Sequence, residues 1–277
     1  VNAKALIQLI RLHNTTASAL SALAGYLIAS QWLINNLHQI LLAALVVALI
    51  SAAGYIINDI YDVEIDKINK PYRPLPSGRV SLKEAWIVTY IFFGLGLLFS
   101  LILGILPFLV ALIVAFSLVV YSKILKRKGL YGNVLIALDS SLTFFYGGLV
   151  YGTGEWLLRI TLPVFFAFIL TLAREFVKGI EDYNGDKLYG VNTLAVKLGI
   201  EKTWEISKIL LIILLIISPI PVLIGFNFIY IIFLILVIIF IIITIFSKNT
   251  INSAIKARSY LKIASILGIL AFLLGSI

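Results

Sequence analysis

Residues 204–247 hold almost nothing polar beyond Glu205, Lys208 and a few Ser, Thr, Asn and Pro. A helix crosses a bilayer with about 20 apolar residues, so a run of this kind has room for two crossings and no place in a soluble core. The pattern recurs along the chain. Counting such stretches gives nine, near residues 6–29, 38–57, 85–104, 107–122, 133–152, 160–180, 204–223, 227–246 and 259–276. Only 13% of the 277 residues are charged, where a soluble protein carries about a quarter. The expected fold is all-α and transmembrane, with residues 1–277 forming one polytopic domain. The first apolar stretch is long and lacks a small-residue cleavage pattern, so it is expected to be a retained span.

Charge placement supports nine spans over eight. The first, third and seventh connections contain no Lys or Arg, and the fifth contains only Arg159. The second carries Lys67, Lys70, Arg73, Arg79 and Lys83, and the fourth carries Lys123, Lys126, Arg127 and Lys128. The sixth carries Arg174, Lys178, Lys187, Lys197 and Lys202, and the eighth carries Lys248, Lys256 and Arg258. Strict alternation obeys the positive-inside rule, with the N-terminus cytoplasmic and the C-terminus outside. Merging the spans around Gly104 would break it. The formal charge of +9 thus reads as topology and not as a nucleic-acid footprint. With no Cys and only His13 and His38, thiolate chemistry, disulfides and His-rich metal sites are excluded.

The polar residues collect in two inside connections, roughly 58–84 and 174–203, each following a helix that runs inward. This spacing hints at a parallel internal repeat. In NDIYDVEID, residues 58–66, Asn58, Asp62 and Asp66 repeat every four positions and Asp59 stands three before Asp62. In REFVKGIEDYNGD, residues 174–186, Arg174, Lys178, Asp182 and Asp186 form a second such row, with Glu181 beside it. Solvated helix ends are the ordinary explanation for charges at a membrane boundary. Here both clusters fall at helix C-termini, where the dipole disfavours carboxylates by several tenths of a kcal/mol each. Like charges one turn apart add a similar cost. Both effects imply a missing cation. Oxygen-only ligands suit Mg²⁺ or Ca²⁺, and Mg²⁺ commonly leaves positions open for phosphate oxygens. Interleaved Arg and Lys suit the same anion. Together they fit a magnesium diphosphate.

NDIYDVEID followed by KINKPYRPLPSGRVS resembles the first signature of the UbiA superfamily of intramembrane prenyltransferases. Asp182 and Asp186 resemble its D-x-x-x-D signature, and GVNTLAVKLG, residues 190–199, its G-x-x-T-L motif. The resemblance covers the whole chain. It implies Mg²⁺-dependent transfer of a prenyl group from a prenyl diphosphate, in a helical bundle whose central cavity opens to the cytoplasm. Carried over, Asn58, Asp62 and Asp66 would hold one Mg²⁺, and Asp182 and Asp186 another, with Asp59 and Glu181 as weaker candidates. Arg73, Arg79, Lys126, Lys178 and Asn14 would steady the diphosphate. The family's Tyr-x-x-x-Lys motif is one residue longer here, in YSKILK, so Tyr121 is matched while Lys123 and Lys126 compete for the lysine role. Aromatic faces stabilise an allylic cation. Tyr55, Phe144, Phe145, Tyr146 and Tyr151 are candidates to line the cavity.

Asp139 lies within LIALDSSLTFF, inside the fifth span. A carboxylate at such depth costs roughly 2.5–3.5 kcal/mol, so a role in function is the default expectation. It would orient or deprotonate the acceptor, or pair with Lys126 or Arg174. Glu155 and Arg159 read as solvated, and Lys248, Lys256 and Arg258 as topology signals. REFVKGIEDYNGD looks most like the archaeal ether-lipid branch of the superfamily. That resemblance implies geranylgeranyl transfer to geranylgeranylglyceryl phosphate; the alternative is an aromatic acceptor such as 4-hydroxybenzoate. An ion-coupled secondary transporter is the reading from another class, but transporters place such carboxylates nearer the midplane. Expected partners are the prenyl diphosphate, the acceptor and membrane lipid, with no nucleic acid and no obligate protein partner.

Overall fold

The computed structural model describes residues 3–34 and 36–277, and every regular element among them is helical. Two helices open the chain, α1 (Ala3–Leu9) and α2 (Leu12–Ser30). Helix α3 (Leu37–Tyr61) ends at the first carboxylate cluster and is followed by the short α4 (Val63–Asn69). A hairpin of α5 (Leu82–Leu103) and α6 (Ile105–Lys123) follows. One 3-10 turn, Leu125–Lys128, then leads into α7 (Leu130–Tyr151). Helix α8 (Trp156–Glu181) ends at the second cluster, with the short α9 (Tyr183–Leu188) and α10 (Leu194–Leu198) behind it. The chain closes with α11 (Ile200–Ile217), α12 (Ile220–Leu223), α13 (Phe228–Ile245) and α14 (Ile251–Gly275).

Among the described residues, eight helical stretches are long and apolar enough to cross a membrane: α3, α5, α6, α7, α8, residues 200–223, α13 and α14. The remaining long helix, α2, has 19 residues, about 28 Å at 1.5 Å per residue. It is more polar than the others, but its Ser and Thr hydroxyls donate to backbone carbonyls a turn or so earlier in the chain. Thr16 donates to the Leu12 carbonyl at 2.8 Å, Ser18 to Asn14 at 3.2 Å and Ser21 to Ala17 at 3.0 Å. Such back-bonding removes the cost of a hydroxyl in an apolar medium.

Sequence signals set most boundaries. Ser81 and Glu84 form a capping box at the start of α5, and Thr193, Asn227 and Thr250 cap α10, α13 and α14. Gly104, at φ 130°, makes the tight corner between α5 and α6 where a side chain would be strained. Two expectations change. The first predicted helix is broken at Ile10 and Arg11, where Arg11 takes a left-handed φ of 50°. The last helix begins at Ile251, eight positions before the expected 259, so Lys256 and Arg258 lie within it.

Helices α8, α11, α13 and α14 share one apolar core around Trp204, Leu211, Ile241 and Leu261. A second joins α3 and α6 to α7 through Val46, Ile50, Ala111, Ala115 and Tyr146. Between them α2 packs on α3, α7, α8 and α14. Its crossing with α7 is close: a methyl group on Gly147 would stand 1.8 Å from the Ala22 carbonyl oxygen, and one on Gly25 would stand 2.0 Å from that of Phe144. Small residues at a crossing let dispersion replace the hydrophobic drive that lipid removes.

Candidate active site at two carboxylate corners

The two clusters have the same local build. Asp62 ends α3 at φ −92°, ψ −2°, and Asp182 ends α8 at φ −83°, ψ 1°. Their amides donate to the carbonyls of Asn58 and Lys178, both at 3.0 Å. The chain then turns into a new short helix, and the next carboxylate's amide returns to the corner: Asp66 to the Asp62 carbonyl at 2.8 Å, Asp186 to that of Asp182 at 2.9 Å. Asp66 and Asp186 therefore stand in first turns, where a helix dipole favours them. The sequence-based penalty applies to Asp62 and Asp182, and to Asp59 and Glu181 in the last turns before them, but not to Asp66 and Asp186.

At the first corner, Asn58 Nδ2 donates to Asp62 Oδ2 at 3.0 Å, and the Lys126 ammonium pairs with the same carboxylate. Arg73 bridges Asp59 at 3.1 Å and Asp66 at 2.5 Å. Arg11 is the second partner of Asp59 and lies over the Tyr55 ring, 5.2 Å from its centroid. Burial raises the Asp66 carboxyl above its ordinary range against the pull of Arg73. Burial also works against the Arg73 charge, but Asp59 and Asp66 outweigh it and leave Arg73 raised. Lys126 is lowered, because desolvation exceeds the help it receives from Asp62.

At the second corner, Glu175 lies between Arg174, at 3.2 Å, and Lys178, at 3.4 Å. Glu181 accepts from Arg258 at 3.0 Å. Asp186 is raised to about 6, first by burial and then by the neighbouring Asp182 charge, against Thr193, Lys178 and Lys126. The corners meet across the turn that carries Lys126. The Asn192 amide donates to the Arg127 carbonyl at 3.2 Å, and a side chain on Gly129 would stand 2.1 Å from the Asn192 oxygen. One short turn thus touches the loop behind the second corner while its lysine reaches Asp62 of the first. Tyr121, buried two residues before the end of α6, is within reach of the charges of both Lys178 and Asp62.

Among the described residues no three His, Asp or Glu groups converge into a self-sufficient metal cage. The corners offer instead two carboxylate pairs, Asp62 with Asp66 and Asp182 with Asp186, and Asp66 and Asp186 are held above their usual range. That donor set fits a hard cation that completes its shell with phosphate oxygens and water. A cation there would relieve both the desolvation and the mutual repulsion.

Several expected residues are placed differently. Arg79 turns away, with its guanidinium bound to Gln8 Oε1 at 2.8 Å, Ser77 Oγ at 3.0 Å and the Tyr72 carbonyl. Lys123 is exposed at the end of α6, and Asn14 is half-buried one turn past Arg11. Asp139 pairs with neither Lys126 nor Arg174. Both its oxygens lie 2.8 Å from Ser117 Oγ, which joins α7 to α6. Tyr146 is buried, 2.8 Å from Ser100 Oγ. Phe145 packs on Trp156, Tyr151 on Tyr26, and Tyr55 under Arg11. Only Phe144 of the five expected aromatics lines the groove of about 550 Å³, mouth included, that runs between α2, α7, α8 and α14 and is closed by Leu214 of α11 and Val237 of α13. Arg159 is not merely solvated, because it donates to the Ala29 carbonyl at 3.0 Å. Sequence reasoning missed Arg11, Glu175 and Arg258 as parts of the corners. For Arg11 no local signal exists, since its partner lies 48 positions away.

The UbiA prenyltransferase family model matches residues 18–266. Digeranylgeranylglyceryl phosphate synthase of Saccharolobus solfataricus is 55% identical over 99% of this chain and 97% of that protein. The protein of the same name from Sulfurisphaera tokodaii is 47% identical over 100% and 99%. A solved digeranylgeranylglyceryl phosphate synthase structure, 34% identical, superposes with a TM-score of 0.78 over 99% of this chain and 98% of that one. A UbiA homolog from Archaeoglobus fulgidus bound to GPP and Mg²⁺, 22% identical, shares the fold with a TM-score of 0.76 over 97% and 98%.

Proposed function

We propose that this chain, which belongs to the UbiA prenyltransferase family, transfers a geranylgeranyl group from geranylgeranyl diphosphate to the free glycerol hydroxyl of geranylgeranylglyceryl phosphate. The observation that carries this reading is the meeting of two like carboxylate corners across the Lys126 turn. Whole-length similarity to proteins named for the product of this transfer supports it over an aromatic acceptor. In the reaction the allylic C–O bond breaks and its electron pair leaves on the diphosphate. The glycerol oxygen forms the new ether bond and its proton is released.

Asn58, Asp62 and Asp66 would hold one Mg²⁺, and Asp182 and Asp186 a second. When bound, magnesium neutralises the charge that grows on the departing diphosphate. Lys126 and Lys178, which lie between the corners, bind the same anion, and preorganised cations in a dry site favour the ionised state. Arg73 holds Asp66 in position and reaches the diphosphate from the loop side. Asn14 lies at the mouth of α2 as a further polar contact. Asp59 and Glu181 are committed to Arg11 with Arg73 and to Arg258, so they position their neighbours. The alternation of basic connections supports nine spans with α2 as the first, an inside N-terminus, an outside C-terminus and a cytoplasmic site. The matching corners after α3 and α8 support two related half-bundles.

A transfer assay with radiolabelled geranylgeranyl diphosphate tests the reading. The prenylated glycerol phosphate should form only with divalent metal present and vanish with EDTA. Product on 4-hydroxybenzoate alone, or product that survives EDTA, overturns it.

A further inference from the structure

Beside the carboxylate corners, α2, α8 and α14 converge and bring together His13, Arg174, Arg258 and Lys262. Arg258 and Lys262 are one turn apart on α14. The charges of Arg174 and Arg258 act on Lys262, and those of Lys262 and Arg11 act on His13. The anions nearby are engaged elsewhere, apart from Glu181 Oε2, which is buried without a partner. Glu175 is shared between Arg174 and Lys178, and Glu181 takes Arg258. Among the described residues no carboxylate pairs with Lys262, and the Arg174 Nε–H is buried without an acceptor. Like charges held together in a medium less polar than water repel strongly, so Lys262 and the Arg174 Nε–H have room for one further anion.

The groove begins about one turn along α8 and α14 from Arg174 and Lys262. Thr171 stands three residues before Arg174 on α8, and Ser265 three residues after Lys262 on α14; both line it, as do Ser21 and Ser140. Farther along come Phe144, Phe166 and Phe272. From Arg258 to Phe272, α14 thus passes from charge through hydroxyl to aromatic ring. A free anion needs only the first layer. A phosphorylated lipid matches all three.

We propose that this is the acceptor site, where Lys262 and Arg174 bind the phosphate monoester of a prenylated glycerol phosphate. The hydroxyl band holds the glycerol, and the groove takes the apolar chain. The assignment deepens the transferase reading above and rests on it.

The test is steady-state kinetics on the full chain in nanodiscs, with acceptor and donor varied separately. Lys262→Gln should raise the acceptor KM by about tenfold to a hundredfold, the usual worth of a hydrogen bond to a charged group. The donor KM and kcat should stay unchanged, and Lys262→Arg should restore most of the loss. A second arm needs no variant: wild-type enzyme should use geranylgeranylglycerol, which lacks the phosphate, with a similarly raised KM. Lys262→Gln should use that substrate no worse than wild type does. Inorganic phosphate should compete only weakly, and competition as tight as the lipid's would overturn the groove assignment. An unmoved acceptor KM, a raised donor KM, or equal use of both glycerol acceptors by wild type would sink the proposal. Absence of transfer to either glycerol acceptor by wild type is a different result, which removes the transferase reading and this assignment with it.

Discussion

Lys126 is the side chain on which the two corners most depend. It follows the end of α6 on a 3-10 turn, pairs with Asp62, and sits under the charge of Lys178. Lys126→Ala should lower kcat/KM by about 10²–10³-fold, as losing one preorganised donor does elsewhere, while Lys123→Ala should leave it near wild type. Kinetics with labelled donor, alongside gel filtration to check folding, would separate the two; equal losses would refute the assignment. The longer Tyr121-to-Lys126 spacing left this choice open in the sequence, because a helix continued past Lys123 would not bring Lys126 back. The four-residue spacing of Asp62, Asp66, Asp182 and Asp186 was legible, but the misplaced-charge argument holds for Asp62 and Asp182 and fails for Asp66 and Asp186, which open new helices that no local signal announced. Arg11, Glu175 and Arg258 were not, since an ion pair's partner is chosen by tertiary packing. The depth of Asp139 was legible, but its bond to Ser117 on the neighbouring helix was not.

Helix boundaries follow local chemistry where that chemistry is strong. Apolar length placed α5 to within three residues at its start, and the Ser81–Glu84 box sets the boundary that length alone missed. The break before α2 escaped notice because it contains neither Gly nor Pro. A left-handed non-glycine residue costs roughly 1–2 kcal/mol, offset here by the pairing of Arg11 with Asp59. The α2–α7 crossing is likewise invisible in one sequence, since Gly25 and Gly147 acquire meaning only when their helices meet. Gly147→Ala should destabilise the fold by at least about 1–3 kcal/mol, the usual cost of overpacking, because its methyl group would meet backbone. Gly94→Ala, with nothing within 4 Å of the added carbon, should be close to neutral. Thermal unfolding in detergent compares them, and equal midpoints would show that the α2–α7 contact yields more easily than its geometry implies.

At the scale of the whole molecule, charge and length speak to different questions. Length and hydropathy pick out eight crossings among the described residues and pass over α2, whose hydroxyls lower its apolarity. Charge alternation counts α2 as a crossing, because only then do Lys4 and Arg11 share a side with the basic turn at 123–128. The Arg11–Asp59 pair is consistent with that arrangement, since it sets the start of α2 beside the end of α3. The chain has no cysteine, so single cysteines report sidedness without background. Cysteines at Lys4 and Lys128 should react with a membrane-impermeant thiol reagent only in inside-out vesicles. Those at Asn36, Thr153 and Ile277 should react only in right-side-out ones. Labelling of Lys4→Cys from the same side as Ile277→Cys would mean an even number of crossings. It would also put α1 on the face opposite the carboxylate corners that Arg11 helps to build.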